Sequence, residues 1–220
     1  MQEEMPEIVV FLGPSLSRAR AEQILKADFR PPAKRGDIYQ AAKEGAGVIC
    51  LIDGVFFQDC SVAHKEVIYA LEAGAKVLGA SSMGALRASE LDIYGMEGVG
   101  EIYQAYKSGH LVSDDEVALV FDPFTWEPRS EPLVNIRFNL DLAWQMGVIS
   151  ASCKDRLFHC AQAKYFPDRT YEHMLSDASG LVPEKELQCF REFLAREKRD
   201  FKMEDALLAL KRAKEIADEC

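Results

Sequence analysis

Short apolar runs alternate with amphipathic stretches through the first half of the chain. Residues 7–12 (EIVVFL) predict a buried strand closed by the turn Gly13-Pro14-Ser15. Ser17 is the expected cap of a helix over residues 18–25. Residues 29–36 (FRPPAKRG) read as a loop, because Pro31 and Pro32 exclude a regular helix. A short helix with Asp37 as cap covers 37–45, and residues 47–54 (GVICLIDG) form a second buried strand. Ser61 caps a helix with apolar face Val62, Val67, Ile68 and Leu71, ended by Gly74. KVLGA (76–80) is the third strand, followed by helices over 83–95 and 99–109. The β-branched segment DDEVALVFDP (114–123) predicts a fourth strand, and PFTWEPRSEP (123–132) a surface loop. From Leu133 onward the period is helical.

This alternation predicts an α/β fold: a mostly parallel central sheet flanked by helices, with a helical C-terminal part. The expected division is an α/β core over 1–140 and a helical region, 141–220, packed on it. In such sheets the functional crevice lies at the carboxyl ends of the strands. The second and third strands end at Asp53-Gly54 and Gly79-Ala80, and the helix after Ser61 starts at the same edge.

Composition narrows the functions. With 220 residues and 48% hydrophobic content, the chain can build one full core and an appendage. No window reaches the length of a membrane span, and the N-terminus lacks the basic and apolar regions of a secretory signal. A soluble, cytoplasmic protein is expected. The net charge of −10 argues against nucleic acid, which is bound through lysine and arginine. The six cysteines show neither CxxC pairs nor zinc-finger spacing with the four histidines, so no metal is assigned. Cys153 and Cys160, on one helix face beside His159, read as structural. FLGPS and YGMEGVG match no phosphate-loop or dinucleotide fingerprint, so no nucleotide cofactor is expected. The acidic triplet Asp114-Asp115-Glu116 reads as a solvated turn or a partner-docking edge rather than a magnesium site.

The chemistry centres on Ala80-Ser81-Ser82-Met83-Gly84. Its form, small-x-Ser-x-Gly between a strand and a helix, is that of the hydrolase nucleophile elbow. A helix-capping serine with a glycine for close packing has the same pattern. As an elbow, the turn exposes a serine hydroxyl, Ser82 or the competing Ser81, and aims backbone N–H groups at an oxyanion. Candidate bases are His64 and Lys65 in the first turn of the preceding helix. Arg87 and Glu90 follow at a spacing that also forms ordinary helix ion pairs.

The chain resembles the TfuA-like family. The resemblance rests on VFLGPSLS, LIDGVFF, SVAHKEVIYALEAGAKVLGASSMGALRASEL, YGMEGVGEIYQAYKSG, DDEVAL and SEPLVNIRF, in order over about the first 140 residues. It departs at Ala63, where an aromatic residue is expected, at Cys60, and at Ser81, where other members carry alanine. That last difference favours Ser82 as the family's serine.

The resemblance implies a partner of a YcaO-type ATP-dependent enzyme in peptide-backbone thioamidation. In methanogens the target is a glycine of methyl-coenzyme M reductase; in bacteria it is a ribosomally made peptide (RiPP biosynthesis). It also implies sulfur supply from the C-terminal thiocarboxylate of a ubiquitin-like sulfur-carrier protein. The expected chemistry is a thiocarboxylate hydrolase. Ser82 is the nucleophile, Lys65 the base with His64 in reserve, and Met83 and Gly84 are the oxyanion donors. Asp53, Arg87 and Glu90 position the substrate tail or the lysine. The alternatives are a non-catalytic adaptor that docks on the YcaO enzyme, or a persulfide relay through Cys60.

Overall fold

A computed structural model describes residues 7–56 and 60–219; Phe57 of the LIDGVFF segment and Cys220 lie outside them. The chain forms two compact units, residues 1–114 with 202–220, and residues 115–201. This grouping differs from a single boundary near residue 140, because the last helix belongs with the sheet.

The first unit holds five strands: β1 (Ile8–Phe11), β2 (Asp28–Arg30), β3 (Val48–Leu51), β4 (Lys76–Ala80) and β5 (Glu97–Val99). They pair in the order β2-β1-β3-β4-β5, every pair parallel. Its helices are α1 (Arg18–Ala21), α2 (Asp37–Lys43), α3 (His64–Glu72), α4 (Met83–Leu91), α5 (Glu101–Lys107) and, after the second unit, α10 (Phe201–Glu219).

β1 and β3 are buried at every position because helices cover both faces. Alternate side chains divide between two cores. Val10, Cys50, Ile52 and Leu78 pack with Ala206, Ala209, Leu210 and Ala213 of α10. Val9, Phe11, Ile49 and Leu51 pack with Ile38, Ala41, Val67, Ala70, Met83 and Ala88 of α2, α3 and α4. Each buried branched side chain contributes about 1.5–3 kcal/mol relative to exposure.

The second unit is helical: α6 (Leu133–Gln145), α7 (Ala151–Ala163), α8 (Tyr171–Asp177) and α9 (Glu184–Glu197). They share a core of Ile136, Leu140, Leu157, Met174, Leu187 and Phe190 among others. Cys153 and Cys160 face this core, in line with a structural role, and burial pushes the Cys153 thiol up to about 12.

The predicted fourth strand over 114–123 is not formed. Residues Asp114–Glu116 make one 3-10 turn, and the segment after it pairs with its own return. Arg129 N–H donates to Val120 O, Val120 N–H to Ser130 Oγ, and Phe121 bridges Pro128 in antiparallel fashion. The acidic triplet lies in that turn, with Asp114 exposed, but its other two members are engaged in ion pairs. Glu116 is buried and grips the Arg137 guanidinium through both oxygens, and Asp115 pairs with buried Arg169 at 2.6 Å.

Candidate functional site

The carboxyl edge of the sheet is organised by buried carboxylates that take up loop amides. Asp53, just past β3, is 2% exposed. Its Oδ2 accepts from Gly13 N–H (2.8 Å) and Ser15 N–H (3.1 Å), and its Oδ1 from the Ser15 hydroxyl (2.7 Å). Asp53 therefore ties the turn after β1 to the end of β3, and all its recorded bonds are structural. Glu66 in α3 does similar work. It accepts from Ala63 N–H, and its other oxygen accepts from Gly36 and Ile38 N–H. A glutamate at the third helical position is half of a capping box, and that is the signal Glu66 leaves in the sequence.

The serine turn leaves β4 sharply. Ser82 N–H donates to Ala80 O at 2.7 Å, closing a γ-turn around Ser81, whose φ is +66°. That is strained backbone for a residue with a Cβ. The Ser81 hydroxyl is fully buried and, among the described residues, has no hydrogen-bond partner. Ser82 follows as the N-cap of α4 without using its side chain as a cap.

α4 packs backbone to backbone on the sheet. A Cβ on Gly84 would collide with the Leu51 carbonyl, and one on Gly79 with the Gly84 carbonyl. This close approach is what glycine permits. It also commits the Gly84 amide, which donates to Ile52 O at 3.2 Å. Gly84 N–H is thus not available as an oxyanion donor. Among the described residues no backbone carbonyl accepts from Met83 N–H, the first amide of the helix.

The amine that meets the serine is Lys202. Its Nζ lies 3.0 Å from Ser82 Oγ, and both residues are 2% exposed. Lys202 is the second residue of α10, whose buried stripe of Ala206, Ala209, Leu210 and Ala213 lies on the sheet.

One turn on, Asp205 is also 2% exposed. Its Oδ1 accepts from Glu101 N–H and its Oδ2 from Ile102 N–H, both at 2.9 Å. Burial pushes this carboxyl up to about 7, against the two amide bonds that favour its charged form.

The bases expected from sequence sit elsewhere. Lys65 is exposed on α3. His64 is exposed too, its Nε2 2.9 Å from Glu90. Arg87 joins that cluster, bonding Glu90 at 2.6 Å and Val62 O at 2.9 Å. The cluster ties α3 to α4, and among the described residues none of its members bonds Ser82. Cys60 is an exposed free thiol. Among the described residues no three His, Cys, Asp or Glu side chains gather as a metal set. No helix among them is long and apolar enough to cross a membrane.

The chain matches no curated protein. The family model described as TfuA-like protein matches residues 53–170, more than half of the chain. The match takes in Asp53, the serine turn and the Glu116–Arg137 pair but ends before Lys202 and Asp205. This chain, with its serine turn at the edge of a parallel sheet, belongs to the TfuA-like protein family.

Proposed function

We propose that the protein hydrolyses the C-terminal thiocarboxylate of a ubiquitin-like sulfur carrier, delivering sulfide to a YcaO-type enzyme that forms peptide-backbone thioamides. The observation that carries this reading is the 3.0 Å approach of Lys202 Nζ to Ser82 Oγ at the carboxyl edge of the sheet. A nucleophile needs a base within hydrogen-bond reach, and Ser–Lys pairs supply one. Ser82 Oγ attacks the carbonyl carbon while its proton passes to the Lys202 amine, which acts as the general base. The Met83 N–H, at the positive end of α4, faces the developing oxyanion. Lys202 hands that proton to the sulfur as the C–S bond breaks, and hydrosulfide leaves. Water then attacks the acyl-serine, and the serine regains its proton through Lys202. The sum is thiocarboxylate plus water giving carboxylate plus hydrogen sulfide.

A second reading is favoured by the burial of both residues. A serine that is 2% exposed gives little access to a carrier tail, and the pair is then a buried polar tie in an adaptor that docks on the YcaO enzyme. The experiment is sulfide release from a thiocarboxylated carrier by wild type, Ser82→Ala, Lys202→Met and Cys60→Ala. Loss in the first two variants alone supports the hydrolase, and loss in the third alone supports the Cys60 thiol as the nucleophile. No release by wild type, together with normal stimulation of the YcaO enzyme, leaves the adaptor.

A further inference from the structure

Lys202 approaches Ser82 from a helix that packs on the sheet through Ala206, Ala209, Leu210 and Ala213, and apolar contact of this kind is non-directional. A 3.0 Å contact between Lys202 and Ser82 needs something that fixes both. Asp205, three residues on and on the same helix face, makes two directional bonds to the loop after β5.

The receiving loop is shaped for that carboxylate. Gly100 follows β5 with φ +96°, and a Cβ there would run into the Asp205 carboxyl group. The next two amides, Glu101 and Ile102, each donate to a different carboxylate oxygen, both at 2.9 Å. The amides just after the glycine-rich run YGMEGVG are thus taken up by a carboxyl group from the chain itself.

We propose that Asp205 is the positioning residue for Lys202: its carboxylate, seated in the Gly100–Ile102 amide cradle, fixes the rotation and register of α10 that bring the lysine amine to the Ser82 hydroxyl. The assignment rests on the Ser82–Lys202 reading for its catalytic meaning, while the geometric claim stands without it. Among the described residues, the charges that act on the Asp205 carboxyl are Glu101 on α5 and Glu204 on α10. α5 is too short to hold the carboxylate through a helix dipole alone, so the two amide bonds are the directional part.

The test uses the full chain with lysines carrying 13C at Cε, the Lys202 resonance being assigned by its loss in Lys202→Met. In wild type, Ser82→Ala is expected to move that resonance. In Asp205→Asn, where the amide NH2 opposes a backbone N–H, the resonance is expected near that of a free lysine, and adding Ser82→Ala should no longer move it. A Lys202 signal in Asp205→Asn that responds to Ser82→Ala as in wild type overturns the proposal. Should Asp205→Asn fail to fold, Asp205→Glu carries the same test, since its extra methylene lengthens the tie; a wild-type response there overturns the proposal equally.

Sulfide release is read separately. Asp205→Asn is expected to lower kcat at least tenfold with KM nearly unchanged, and to add no loss on top of Lys202→Met. Wild type that releases no sulfide ends the hydrolase reading and leaves the resonance result to decide the positioning. An active wild type with an unmoved resonance ends the positioning claim alone.

Discussion

Lys202 and Ser82 lie 120 positions apart in the chain, yet the lysine amine rests 3.0 Å from the serine hydroxyl. The contact places Lys202, and not the Lys65 expected from sequence, beside the serine. Replacing Lys202 by Met, of similar length, is expected to lower sulfide release by about 10²–10⁴-fold, the usual worth of a general base. Lys65→Met, at an exposed position on α3, is expected to leave it near wild type. The reverse ranking, measured on the thiocarboxylated carrier, would return the base to α3.

The parallel sheet and the serine turn were legible because each leaves a local mark. β3 and β4 are unbroken apolar runs, and the turn is a run of small residues before a helical period. β2 and β5 left none, since three residues are too few to show a period. The segment 117–120 misled for the opposite reason. Its β-branched composition is that of a strand, but strand formation needs a partner, and its partner is its own return loop. Lys202 and Asp205 were hidden by distance in sequence, not by composition. Both fall on the stripe continued by Ala206, Ala209, Ala213 and Ile216, so two charged residues interrupt an otherwise apolar face. Reading charges on that face as buried polar contacts, rather than as a solvated surface, would have found them.

Ser81 has the strained backbone of an elbow residue, whereas Ser82 has the amine. Removing the Ser81 hydroxyl takes away a buried oxygen with no partner among the described residues, so Ser81→Ala is expected to stabilise the protein by about 1 kcal/mol. Ser81→Gly also relieves the φ of +66°. Both variants should keep sulfide release while Ser82→Ala loses it. Urea denaturation and the release assay on the three variants check this, and an inactive Ser81→Ala would move the nucleophile one residue back.

In the helical unit, Arg137 holds both oxygens of Glu116, whose side chain is 5% exposed. Its guanidinium also lies 4.1 Å from the centroid of the Phe158 ring. Arg137→Met leaves a buried carboxylate without its cation and is expected to cost about 3–5 kcal/mol. Replacing Glu116 by Met as well should recover most of that loss, because a well-packed apolar pair can substitute for a buried ion pair. Denaturant unfolding of the single and double variants measures it. A double variant no better than the single would mean that the pair contributes more than its own desolvation removes.

The Asp205 carboxyl gives the protein a pH dependence whose sign is fixed by the direction of its shift. Burial raises it from 3.8 to about 7; the Ile102 and Glu101 amides oppose this, and the Glu101 and Glu204 charges reinforce it. The folded protein then holds this proton more tightly than the unfolded chain does. The associated stability is complete below about pH 4, the unfolded value, and is lost as pH rises toward and through 7. The slope is at most about 1.4 kcal/mol per pH unit. Other groups titrate in the same window, so the quantity to measure is the urea midpoint of wild type minus that of Asp205→Asn, from pH 3 to 8. This difference is expected to fall with rising pH and to level off above 7. A difference that instead rises between pH 3 and 5 and is flat afterwards would mean that the two amides hold Asp205 as a carboxylate throughout. The cradle would then act as a permanent anion site and not as a proton-sensitive one.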